Sequence, residues 1–240
     1  MKTVILAAGK GTRMKTLTAA TPKPMLNVGG KPILEHILIK LKEIGLKEFV
    51  IIVGYLSDKI KDYFKDGKEW DIKINYIEQR EQNGTGAAVL LAKEYVEKKE
   101  FILTNGDIWI TKNDFRNFID FINKNNPDIL LSLTWVEDPY FGGAIYIDKN
   151  NQIIKIIEKP EKGKSTTNYI NAGLYFFKPI IFNYLEKIKP SARGEYELPD
   201  AITMLLNENK YKIMGYILKD KWLDIGTPEQ LELLKRIIKE

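Results

Sequence analysis

The chain has 240 residues, 44% hydrophobic and 29% charged, with a formal net charge of +5; this is enough for one substantial core and ordinary for a soluble globular protein. It carries no cysteine and a single histidine, His36, which excludes disulfides, zinc–thiolate sites and thiol catalysis and leaves a histidine triad without its parts. No apolar run approaches the roughly 20 residues that span a bilayer, the N-terminus enters a strand without a leader, and the lysines form no block suited to nucleic acid. A cytoplasmic protein that binds neither membrane nor nucleic acid is expected.

Taken in order, residues 4–8 are a short apolar run read as a buried strand, and Gly9 and Gly11 follow at once. Glycine can take φ > 0 and puts no Cβ between backbone and ligand, so such a turn can cradle phosphate oxygens with its N–H groups. Lys10, Arg13 and Lys23 then place positive charge around it. Lys31-Pro32 opens a helix with Ile33, Leu34, Ile37, Leu38, Leu41 and Ile44 on one face and Gly45 as its stop; His36 reads as a half-exposed helix residue. A second strand covers residues 49–53, Ser57 caps a short helix, and residues 72–77 alternate as a strand. Gly84-Thr85-Gly86 leads into a small-residue helix reaching Tyr95, and the apolar residues 101–103 run into Thr104-Asn105-Gly106-Asp107. Thr111 and Asp114 form a capping box before Phe115, Phe118, Ile119 and Ile122.

From about residue 128 the texture changes to successive strand-like runs at Ile129–Trp135, Gly143–Ile147, 153–157 and Tyr169–Phe177. They are expected to form an antiparallel edge insertion over the sheet's carboxyl end. Helices are expected at 179–188 and 199–207 and a strand at 212–218; Trp222-Leu-Asp-Ile-Gly226 turns into a last helix with Thr227 as cap, Pro228 in the first turn and Gln230 closing the box. The alternation of helix and strand argues α/β with a largely parallel, buried sheet.

A dinucleotide fingerprint would need a third glycine where Met14 stands and an acid ending the second strand, which instead ends Ile52-Val53-Gly54-Tyr55; a Walker loop would need a Gly-Lys-Ser/Thr that the chain lacks. Gly9-x-Gly11-Thr12-Arg13 followed by Pro22-Lys23-Pro24 resembles the signature of the sugar-1-phosphate nucleotidyltransferases. The resemblance covers essentially the whole chain. It implies a single three-layer α/β/α Rossmann-like domain, GT-A-like, with a mostly parallel mixed central sheet, residues 1–127 taking the nucleotide and 128–240 the sugar. The reaction implied is attack of a sugar-1-phosphate oxygen on the α-phosphorus of a nucleoside triphosphate with release of pyrophosphate. That chemistry rests on alignment and charge neutralisation, with no protein nucleophile.

By the same resemblance Leu6, Ala8, Gly9, Gly11 and Thr12 hold the nucleotide, Arg13 serves the departing pyrophosphate, and Lys23 the α-phosphoryl or sugar phosphate. Asn-Gly-Asp107 and Trp-Leu-Asp224-x-Gly-Thr match the family's Mg²⁺ positions, and magnesium takes one or two carboxylates plus phosphate oxygens. Gln79 matches the glutamine that pairs with a pyrimidine, with Gly84 and Thr85 beside it; an amide that both donates and accepts suits uracil or thymine, so UTP or dTTP is favoured. On the sugar side, Phe141-Gly-Gly143 resembles the family's Tyr-Gly segment without its hydroxyl, and Glu158-Lys159-Pro160 and Asn171-Ala-Gly173 match two further motifs. Glucose-1-phosphate is the favoured acceptor. Mannose-1-phosphate with GTP, an N-acetylated amino sugar with UTP, phosphocholine with CTP and a catalytically silent subunit stay open, as does a homo-oligomer.

Overall fold

Branched apolar residues that point alternately to two sides decide the architecture. In the computed structural model, which describes residues 1–96 and 98–239, Ile5 and Ala7 enter one core and Val4 the other; Phe49, Ile51 and Val53 likewise oppose Val50 and Ile52. A strand buried on both faces needs cover on both, and helices supply it.

The first half contains β1 (Lys2–Ala7), β2 (Asn27–Val28), β3 (Lys31–Pro32), α1 (Ile33–Glu43), β4 (Glu48–Val53), α2 (Ser57–Phe64), β5 (Lys73–Glu78), α3 (Thr85–Leu91), β6 (Phe101–Asn105), β7 (Ile108–Trp109) and α4 (Lys112–Asn125). The second contains β8 (Ile129–Trp135), β9 (Gly143–Ile147), β10 (Ile153–Glu158), β11 (Tyr169–Phe177), α5 (Phe182–Leu185), α6 (Leu198–Asn207), β12 (Ile213–Ile217), β13 (Leu223–Asp224) and α7 (Pro228–Lys239). Strands β5, β4, β1 and β6 lie side by side and parallel. Helices α1, α2, α4 and α7 bury their apolar stripes on one face of the sheet, and α3, α5 and α6 on the other. Each Leu, Ile or Phe so buried contributes about 1.5–3 kcal/mol.

The antiparallel runs do more than edge the sheet. β11 pairs with β6 at one end and β8 pairs with β11, carrying the sheet on to β12, which runs parallel to β8. Only β9 and β10 form the expected antiparallel edge, attached to β11 through Ala144 opposite Ile170. Between Asn171 and Tyr175 the β11–β8 register shifts; there Gly173 takes φ +82° and the Ser132 hydroxyl accepts from Leu174 N–H at 3.0 Å. The nine-stranded sheet is thus mixed, with a parallel half and an antiparallel half.

Several local expectations shift. Ser57 is the first helical residue of α2, not its cap, because Leu56 at φ +52° turns the chain and no side chain caps the end. Pro32 stands at the cap position of α1, extended by its ladder with β2. The helix after Gly84 stops at Leu91, short of the exposed Tyr95. Residues 179–188 yield a single turn at Pro179–Ile181 and the short α5. Gly45, at φ +93°, ends α1 as expected, its N–H donating to Lys42 O while Leu46 N–H reaches Leu41 O. No helix among the described residues is long and apolar enough to cross a membrane. Residue 240, the last of the 128–240 half, lies outside the described residues.

Candidate active site

Because β1, β4, β5 and β6 are parallel, their carboxyl ends bring the following loops to one rim. Three cavities open there, and Asp107 lines all of them. It leaves β6 through Asn105 and Gly106, whose N–H donates to Leu6 O at 2.8 Å.

The central cavity is lined by Leu6, Gly9, Gly11, Thr12, Arg13, Lys23 and Asp107. Of the two glycines only Gly11 takes a left-handed backbone, at φ +64°; a Cβ there would sit 3.2 Å from Lys23 Cβ, whereas at Gly9 it would meet nothing within 4 Å. Gly11 therefore lets the Pro22-Lys23-Pro24 turn pass close beneath the loop, and Gly9 keeps the ligand face open. Lys23 is buried, and its Nζ lies 2.6 Å from Asp107 Oδ2. Arg13 is exposed and its Nη2 lies 3.7 Å from Asp224 Oδ2, with Gly226 leaving room for the guanidinium.

The two aspartates come together through a two-residue ladder. β13 pairs antiparallel with β7, setting Asp224 opposite Ile108, and Ile225 N–H donates to Asp107 O at 3.0 Å. Burial pushes the Asp224 carboxyl above its usual range, and the charge of Asp107 adds to this; Lys23 and Arg13 oppose it. Two ion pairs, Lys23–Asp107 and Arg13–Asp224, thus stand side by side in the cleft. Among the described residues no cluster of three or more Asp, Glu, His or Cys side chains forms, so the two aspartates are a hard-oxygen donor set suited to an ion that completes its shell with phosphate oxygens and water.

The second cavity holds Ala8, Gly9, Lys10, Gln79, Gly84, Thr85, Asn105 and Glu195 on its walls. Gln79 is buried at the end of β5, and its Nε2 donates to Gly84 O at 3.1 Å and to Asn83 Oδ1 at 3.3 Å. Both donors being committed, Oε1 is the atom left for a ligand, on this amide orientation. Gly84 stands at φ +113° with the Tyr196 backbone so close that a Cβ would come within 2.6 Å of Tyr196 N. Hydrogen bonds from Tyr196 N to Asn83 O and from Gly86 N to Tyr196 O, each 2.7 Å, fasten the two segments. The Thr85 hydroxyl accepts from Leu198 N–H at 3.1 Å.

The third cavity, about 420 Å³, is lined by Gly143, Glu158 and Asn171 together with Arg13, Asp107 and Asp224. Gly143 and Glu158 face each other across the β9–β10 ladder. Asn171 braces the β11 bulge, Oδ1 accepting from Gly173 N–H at 2.9 Å and Nδ2 donating to Tyr175 OH at 2.6 Å. Lys159 is not brought in: it is exposed, stands at φ +44°, and its N–H donates to Gly142 O. Buried Leu131, Ile145, Ile170 and Ile202 make part of its lining apolar.

Asn105, Trp222 and Glu195 are among the lining residues to which the sequence reading gave no role. Asn105 borders both the second and third cavities, and its place between a strand and Gly-Asp was the signal. Trp222 ties the Asp224 loop to the β11 bulge by donating its indole N–H to Ala172 O at 2.7 Å. Glu195 had no local signal at all.

Residues 2–239 match the family described as nucleotidyl transferase. The chain belongs to that family. It is 44% identical over 228 residues to the bifunctional protein GlmU of Methanococcus maripaludis, covering 95% of this chain and 52% of that one; the chain spans about half the length of this relative. It is 35% identical over 248 residues to the UTP–glucose-1-phosphate uridylyltransferase AglF of Haloferax volcanii, covering 100% and 97%. A Bacillus anthracis crystal structure described as a glucose-1-phosphate thymidylyltransferase superposes with a TM-score of 0.89 at 28% identity, covering 100% of this chain and 96% of that one. The mixed α/β architecture is that of this structural neighbour.

Proposed function

We propose that the chain is one catalytic domain that transfers a nucleotidyl group from UTP or dTTP to a sugar-1-phosphate, with glucose-1-phosphate favoured. Residues 1–127 take the nucleotide and 128–240 the sugar. The observation that carries this reading is the sharing of Asp107 by three adjoining cavities, a layout with room for a base, a phosphate chain and a sugar around one reacting centre.

The acceptor's phosphate oxygen attacks the α-phosphorus, the bond from that phosphorus to the bridging oxygen breaks, and pyrophosphate leaves with the electron pair. The Gly9–Thr12 backbone holds the phosphate chain and Arg13 forks onto the leaving pyrophosphate. Lys23 bridges the two anions by leaving Asp107 for phosphate oxygen. Asp107 and Asp224 would hold Mg²⁺, which when bound neutralises charge on the reacting phosphates. Gln79 Oε1 accepts an N–H from the base. Uracil and thymine offer one at N3, where cytosine offers a lone pair, so CTP is disfavoured. Glu158 and the Gly143 backbone face the sugar hydroxyls, and Asn171 contributes through the bulge that it braces.

A second acceptor has a specific observation behind it. The apolar side chains Leu131, Ile145, Ile170 and Ile202 in the lining of the third cavity would leave a hydroxyl set against them unpaired at about 1–3 kcal/mol, but suit the methyl of an N-acetylated amino sugar. A cytoplasmic location belongs to the same reading. Pyrophosphate release across the common triphosphates, crossed with glucose-, mannose- and N-acetylglucosamine-1-phosphate, tests it. Turnover should appear with UTP or dTTP and need a divalent ion. Absence of turnover with every pair would leave a silent binding subunit as the better account.

A further inference from the structure

Asp114 is buried to 1% exposure, far inside the polar range for a carboxylate. Its backbone N–H is capped by Thr111 Oγ1 at 3.1 Å, but the carboxylate does not close the expected box. It faces the segment that follows β12 and accepts from Tyr216 OH at 3.1 Å, Lys219 N–H at 3.0 Å and Asp220 N–H at 2.9 Å. The Thr111 hydroxyl adds a bond to Asp220 Oδ2 at 2.7 Å. The start of α4 therefore grips the loop of residues 219–221 from two sides.

That grip sits where two arms diverge. One runs back from α4 through β7 to Asp107; the other runs forward through Trp222 and β13 to Asp224. At the far end the arms meet in the Ile225 N–H to Asp107 O bond. Between them lies a ladder of only two residues per strand, too short to hold its own register in water. Lys219, Asp220 and Lys221 are otherwise exposed.

We propose that Asp114 is a positioning residue that sets the separation of Asp107 and Asp224, and through it the affinity of that pair for a divalent cation. The proposal rests on the reading of the pair as a cation site. Supporting groups of this kind commonly change metal affinity by about 10–100-fold when altered. Asparagine is the informative replacement. Whichever way its amide turns, an NH₂ faces a backbone N–H that the carboxylate now satisfies.

The test measures Mn²⁺ uptake by the full chain with UTP, by the loss of the free-ion spin-resonance signal against a UTP-only blank. Asp114→Asn should weaken uptake about tenfold while UTP binding in chelator stays at the wild-type level. In an Asp224→Asn background the same change should cost nothing further. A folded Asp114→Asn protein with wild-type uptake, or equal losses in both backgrounds, overturns the proposal. Should that variant not fold, Thr111→Val keeps the carboxylate and its hold on the Asp220 N–H but removes the hydroxyl's bonds to Asp220 Oδ2 and to the Asp114 N–H. A smaller loss of uptake then supports the proposal and none overturns it. Wild-type protein that takes up no Mn²⁺ with UTP would instead sink the cation-site reading itself.

Discussion

Lys23 with Asp107 and Arg13 with Asp224 form two ion pairs, so that each carboxylate has a cation within 4 Å. On the proposed reading these pairs exchange partners when phosphate arrives. Asp107→Asn keeps an oxygen for the Lys23 ammonium but loses the charge; a wild-type circular dichroism spectrum with turnover reduced about 100-fold or more is expected. Arg13 is two-thirds exposed, so Arg13→Ala should leave the melting temperature within a degree or two, about 0.5 kcal/mol, while turnover falls about 100-fold or more. Asp224 predicts a pH effect of definite sign. Its folded-state pKa is raised by burial and by Asp107, so the native state binds its proton more tightly than the unfolded chain does. Stability from this group is present at low pH and is lost as pH rises from the ordinary carboxylate range through the raised value. Asp224→Asn should therefore raise the neutral-pH melting temperature while abolishing divalent-dependent turnover, and a lowered melting temperature would count against the buried-charge account.

At the scale of elements, glycines and caps matter because they let segments approach. The segment after β5 lies against Tyr196 so tightly that Gly84 alone fits. Gly84→Ala must push the two apart or strain a left-handed backbone, at about 1–3 kcal/mol. The expected readout is a raised KM for the nucleotide with a smaller change for the sugar phosphate, from steady-state kinetics. The same fastening runs on through Thr85 to Leu198 at the start of α6, whose Pro199 and Ile202 border the third cavity. In α7 the box closes one residue early: Gln230 Oε1 accepts from Gly226 N–H at 2.9 Å, which fixes the turn just after Asp224.

Over the whole molecule, two cores share one sheet. Phe176 packs on the α1–α4–α7 side and Phe177 on the α3–α5–α6 side, from adjacent positions of β11. Truncating either to alanine should cost about 3–5 kcal/mol. Urea unfolding of both variants should remain a single transition, since neither core can open without the strand between them; two separated transitions would show that the halves fold apart. The rim that carries the candidate site gains rigidity from that sharing, because the loops it displays leave strands fixed on both faces.

Local chemistry determined much of this in advance. Residues 33–44 repeat at helical spacing and end at Gly45, so near-neighbour rules suffice for that helix, while the glycine–arginine loop and the Pro22-Lys23-Pro24 turn were legible through the family signature they carry. His36 proved the half-buried helix residue its position suggested, bonded to Val28 O at 2.8 Å. Pairings across distant chain were decided only by the fold: Asp114 with Asp220 at a separation of 106 residues, Thr85 with Leu198 at 113, and Lys23 with Asp107. No spacing rule reaches so far. Sheet order, the bulge at Gly173 and the backbone turn at Leu56 depend on which surfaces meet when both cores close, and that information lies in packing rather than in any short stretch of chain.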